Sequence, residues 1–132
     1  MEPSQAMRQG ITQKEKEKEM EDLYSELQRE RLKIEKERDI IMSKKRAFSD
    51  MLQEEYEMAA AILRRQEWDT SVEWQALNQY IESYDIIADE ASNDQLKKLD
   101  LKDEELVENF LRQRCRLEWD IEENYRRLRE SK

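Results

Sequence analysis

The sequence predicts an all-α protein: a long N-terminal coiled-coil-type helix that continues into an antiparallel three-helix bundle. Three observations carry that reading. Between Ile11 and Lys132 there is neither glycine nor proline, the residues that most often interrupt helices and make turns. Valine and threonine occur twice each, so strand formers are scarce, while Glu, Lys, Arg, Leu and Gln dominate. The third is a seven-residue rhythm, in which Met20, Leu27, Ile34, Ile41 and Phe48 recur like one row of a coiled-coil seam.

The elements follow in order. "MEPSQAMRQG" holds the only Pro and the only Gly and little to bury, so residues 1–11 read as a flexible tail. "TQKE" (Thr12 to Glu15) has the spacing of a capping box, and nothing after it stops a helix before "EWDTSVEW". Helix 1 is therefore expected to reach about Glu67. Thr70 to Glu73 forms a second box beside Asp69 and Ser71, which places a turn there and a new helix from Ser71. The stripe of that helix runs Trp74, Leu77, Ile81, Tyr84, Ala88 and Ala91, widened by Tyr80 and Ile87. Ser92, Asn93 and Asp94 predict its end, with "QLKKLDL" as connector and Asp100 as the cap of a third helix. The third stripe comprises Leu106, Val107, Phe110, Leu117, Ile121, Tyr125 and Leu128, interrupted by Arg114 and flanked by Leu111, Cys115 and Trp119.

Apolar content divides the chain into an arm and a bundle. Apolar residues make up about 28% of residues 12–47 and about 42% of residues 48–130. Only the second zone can feed a core, so residues 48–132 are read as the bundle, with helices over about 48–67, 71–91 and 101–130, and residues 12–47 as a projecting charged arm. The expected core includes Leu52, Tyr56, Ile62, Leu77, Ile81, Tyr84, Phe110, Leu117 and Ile121. Met51 and Leu63 are placed with them on helix 1.

The composition argues against most chemistry. There is no histidine, hence no common general base, pH switch or imidazole metal ligand. A single glycine cannot build a phosphate-cradling loop. The acidic clusters Glu54, Glu55, Glu57 and Glu122, Glu123 read as solvated helix faces, and Cys115 as a buried structural thiol. The expectation is a protein that is not an enzyme, with no catalytic residue, metal or cofactor. The longest apolar run, Met58 to Leu63, is far too short for a membrane span. A lone cysteine and the lack of a charged-then-apolar leader point to an intracellular, cytoplasmic protein; "SKKRAF" (Lys44, Lys45, Arg46) leaves the nucleus open.

Charge is unevenly spread. The net charge is −9; residues 51–100 carry −8 of it, while residues 29–46 hold eight bases against four acids. Net negative charge disfavours nucleic acid and anionic membrane as partners. Within the arm, the second row of the seam is charged in either register: Arg31, Arg38 and Lys45 lie four beyond the apolar row, and Glu30, Glu37 and Lys44 three beyond it. In a parallel homodimer that row would meet itself, like charge on like. The arm is therefore expected to bind another helical or coiled-coil protein in a hetero-complex through Met20, Leu27, Arg31, Ile34, Arg38, Ile41, Lys45 and Phe48. A homodimer, with acid supplied by Glu82, Asp85, Asp89 and Asp103 of a second copy, is the weaker form. A non-enzymatic adaptor or structural subunit of a multi-protein assembly is the function this implies. The alternative is an acidic inhibitor or nucleic-acid mimic, viral or otherwise, that fills a basic groove on a partner.

Overall fold

A computed structural model describes the backbone of residues 3–130 and the side chains of residues 13–130. The described residues form two helices and no strand: α1 (Pro3–Arg64) and α2 (Ser71–Glu130). All-α is right; three helices is not. α2 runs unbroken through Ser92, Asn93 and Asp94, where a turn was expected. These residues each cost a helix well under 1 kcal/mol, and without Gly or Pro nothing forces a break. Continuity also keeps Leu96 and Leu99 in phase with Ala88 and Ser92 on the inward face, and Leu99 is buried. The supposed connector is helix, and it supplies Leu99 to the core.

The N-terminal boundary also moves. The backbone is helical from Pro3, so the tail expected over residues 1–11 is helix where it is described. Proline suits a first helical position, and an interior glycine such as Gly10 costs only about 1 kcal/mol. The Thr12 hydroxyl of the first expected capping box lies outside the described side chains.

The turn between the helices falls where the sequence puts it, but its cap differs. α1 ends with Arg65 and Gln66 donating backbone hydrogen bonds to the Ile62 and Leu63 carbonyls. Before α2, Asp69 Oδ1 accepts from the Ser71 amide at 3.0 Å and from the Ser71 hydroxyl. Those two bonds, the hydroxyl's first, hold the Asp69 carboxyl below its usual range. The cap therefore contributes above the ordinary aspartate pKa and is lost as pH falls through the lowered value. Asp69 thus does what Thr70 was expected to do, and Glu73 does not reach back: its Oε2 is shielded without a hydrogen-bond partner among the described residues. Trp74 packs against Tyr56 at 6.5 Å with the Arg64 guanidinium over its ring, and so staples the corner. Trp68 is exposed and donates its indole N–H to Gln66.

The chain forms two compact units. The turn unit is Glu35–Asp100; the terminal unit joins the residues up to Ile34 with those from Leu101 onward. In each, a segment of α1 packs antiparallel to a segment of α2. Tyr24 meets Phe110 and Lys16 meets Asp120 in the terminal unit; Tyr56 meets Trp74 and Lys45 meets Asp89 in the turn unit. The arm does not project. Residues 13–47 are paired with α2 of their own chain, because α2, being continuous, carries its inward face on past Leu99 to Leu106, Phe110, Leu117 and Ile121.

Both units are thinly covered. The buried apolar side chains are Leu27 and Ile34 in the terminal unit, and Leu52, Ala60 and Leu99 in the turn unit. Two helices cannot enclose a core from all sides, so their remaining apolar stripe stays at the rim.

Candidate helix-docking interface

The seam residues singled out in the sequence do face inward, but onto α2. Leu27 and Ile34 are buried; Met20, Ile41 and Phe48 are half-buried. The charged second row does not hold one register. In the terminal unit the inward positions are three beyond the apolar row (Lys16, Leu23, Glu30); in the turn unit they are four beyond it (Arg38, Lys45, Leu52). The change falls at Ile34, where two consecutive steps of four, Glu30 to Ile34 and Ile34 to Arg38, amount to a stutter in the heptad pattern.

The charges of this row find aspartates of the same chain. Arg31 makes a two-pronged contact with Asp103, Nε to Oδ1 at 2.9 Å and Nη2 to Oδ2 at 3.1 Å. Arg38 pairs with Asp100, and Lys45 Nζ lies 3.2 Å from Asp89 Oδ1. Lys16 Nζ lies 3.1 Å from Asp120 Oδ2. Asp89 and Asp103 are among the acids the sequence offered for this row, but they come from the same copy. Asp100, expected to cap a third helix, is instead a seam partner. Glu30 is served within α1: the Lys33 ammonium hydrogen-bonds it at 2.9 Å and holds its carboxyl below the usual range.

Of the expected core residues, Leu52 is buried, and Tyr56, Leu77, Ile81, Phe110, Leu117 and Ile121 are half-buried. Ile62 and Tyr84 are not core. Ile62 is 58% exposed and Tyr84 44%, as are Met51 at 45% and Met58 at 70%. The sequence stripe was drawn wide enough for a bundle, and two helices fill only its centre. Cys115 is likewise exposed, against the buried thiol expected.

These displaced residues are not scattered. Lys44, Met51 and Met58 recur every seven residues on α1, with Glu55 and Ile62 four beyond the last two. Glu73, Tyr80 and Ile87 recur every seven on α2, with Tyr84 between the last two. The Tyr80 hydroxyl donates to Glu55 Oε2 at 3.3 Å, which brings the two rows together along one flank of the turn unit. The Glu55 carboxylate raises the Tyr80 pKa, keeping the phenol protonated. Tyr80 and Tyr84 stack at a tilt, 4.7 Å between ring centres. Asp89 stands nine residues from Tyr80, half a turn around α2, so the Lys45–Asp89 pair occupies the other flank. One side of the turn unit is sealed by ion pairs and the other is apolar and open.

Comparison with known proteins adds no family. No family model, curated protein or solved structure matches the chain. Among the described residues no cluster of three or more potential metal ligands occurs, and no helix is long and apolar enough to cross a membrane. One depression, on the terminal unit, is an open groove lined by Met20, Tyr24, Phe110 and Arg114 among others.

Proposed function

We propose that this chain is a non-enzymatic adaptor or structural subunit that binds other helical proteins in a multi-protein assembly. One observation carries the reading: the apolar flank of the turn unit, where Met51, Met58, Ile62, Tyr80, Tyr84 and Ile87 are all 44–70% exposed. Aligned exposed apolar side chains on helices mark an interaction site, and a helix laid between two helices is the simplest cover for them. The docking surface in this reading is the flank, and the seam along the arm serves the fold.

The acidic-mimic reading draws on the same charge excess, but Asp89 and Asp100 are already paired with Lys45 and Arg38, and the open flank is mostly apolar. The two readings separate by capture on the immobilised full chain. Doubly substituted Met58→Glu, Ile62→Glu protein is expected to keep its helicity by circular dichroism and lose helical partners. Bound proteins that survive this change but are displaced by DNA or salt contradict the proposal.

A further inference from the structure

We infer that the occupant of this flank is a second copy of the chain, docked antiparallel about a two-fold axis beside Met51 and Tyr84. The inference rests on the docking reading above and names its partner.

Charge order along the flank selects both the occupant and its direction. Glu55 and Glu73 lie toward the turn, and Lys44 and Lys98 lie on the other side of the apolar rows. Lys98 shares the face of Ile87, eleven residues on, as Lys44 shares that of Met51. Neither lysine makes an ion pair among the described residues, and Glu73 Oε2 is shielded and unpartnered there. A two-fold axis across the helices, midway between Lys44 and Glu55, sets Lys44 beside Glu55 of the second copy, and Glu55 beside its Lys44. The same axis brings Lys98 within about one helical turn of Glu73 of the second copy. An axis along the helices would instead bring the turn-side acids Glu55 and Glu73 of both copies to the same end, with both pairs of lysines at the other. Isologous contacts of this kind need a self-complementary patch, and here each lysine stands across the axis from a glutamate, with apolar residues around both.

The apolar rows fit the same axis. Tyr80 and Ile87 flank Tyr84 on either side, so turning the row about Tyr84 lays apolar on apolar. On α1, Ile40, 54% exposed, takes the place facing Met58 of the second copy. From Ile40 to Ile62 the flank is about 33 Å long and about 20 Å wide across two helices, roughly 650 Å² in plan. That approaches the roughly 800 Å² per partner of a stable interface. The result is a four-helix arrangement, in which each copy supplies the cover the other lacks.

Light scattering and sedimentation of the full chain at tens of micromolar test this directly. The expected mass is about 32 kDa, twice the 16.2 kDa of the chain. Tyr84→Glu puts like charges on the axis and should weaken the dimer roughly tenfold or more. Ile86→Glu, on the far side of α2 and 49% exposed, should leave it intact. Lys44→Glu and Glu55→Lys should each weaken association, and the double variant should restore it. A monomer of native helicity overturns the inference, as does a dimer indifferent to Tyr84→Glu. A monomer that still captures another helical protein through Met58 and Ile62 overturns the second copy and leaves the docking reading standing.

Discussion

The terminal and turn units are cut from the same two helices, yet they use their seams differently. In the terminal unit the inward row of α1 alternates apolar residues with Lys16 and Glu30, and it buries Gln13, whose amide atoms have no hydrogen-bond partner among the described residues. In the turn unit the row runs Arg38, Lys45, Leu52 and Tyr56, becoming more apolar toward the turn, and Trp74 closes its end. The turn unit has surplus apolar surface, which spills onto one flank. Polarity inside a seam chooses register and partner at some cost in stability. Surplus apolar surface outside it is what a further partner can use.

The ion pairs show the same division of labour. Among the described residues, four cross-helix ion pairs each join a cation of α1 to an aspartate of α2: Lys16–Asp120, Arg31–Asp103, Arg38–Asp100 and Lys45–Asp89. Each is a quarter to about a half exposed, and pairs near the surface contribute only about 0.2–1 kcal/mol. Their value lies in order. Along α1 the four cations meet their aspartates in reverse sequence, which only an antiparallel pairing in this register allows.

Core truncation should separate the two units most strongly. Leu52→Ala and Ile34→Ala each remove a 4%-exposed side chain, one from each unit, at about 2–4 kcal/mol. Thermal unfolding of the two variants, with hydrogen exchange to locate the loss, should place the greater protection loss in residues 35–100 for Leu52→Ala. For Ile34→Ala it should fall in residues 13–34 and 101–130. Equal loss throughout for both variants would mean the units melt as one body, and the comparison would collapse.

A smaller effect sharpens the electrostatic half. Reversing one charge, Arg31→Asp, should destabilise the chain by about 1 kcal/mol or less, and Asp103→Arg in the same chain should recover part of it. Both changes should weaken with added salt. A coupling energy indistinguishable from zero at low salt would remove Arg31–Asp103 from the register argument.

Much of this was legible in the residues. The absence of Gly and Pro after Gly10, the heptad row from Met20 to Phe48 and the turn signals around Asp69 all describe what the chain forms. The charged row was legible as well, down to Asp89 and Asp103 as acids that suit it. What misled was weight and reach. Ser92-Asn93-Asp94 is a local turn signal of tenths of a kcal/mol, outweighed by Leu96 and Leu99 continuing the stripe. The arm looked too poor in apolar residues because its other half, Leu106 and Phe110 among them, lies some 80 residues away in the sequence. Periodicity reports that a face exists; it is silent on which distant face covers it. The same limit applies to the flank: Met51, Ile62 and Tyr84 read as core because the stripe says "apolar" without saying how many helices will share it.

The central claim is that residues 13–47 are covered by α2 of their own chain. A spin-label distance tests it most directly, with labels at Ser25 and Asn109 of a Cys115→Ser chain diluted into unlabelled protein. Tyr24 and Phe110 lie 6.1 Å apart between ring centres, so the labels should sit roughly 10–20 Å from each other whatever the dilution. An arm projecting from a bundle confined to residues 48–132 would hold them about 40 Å apart, and that distance, or a short one that disappears on dilution, would contradict the account.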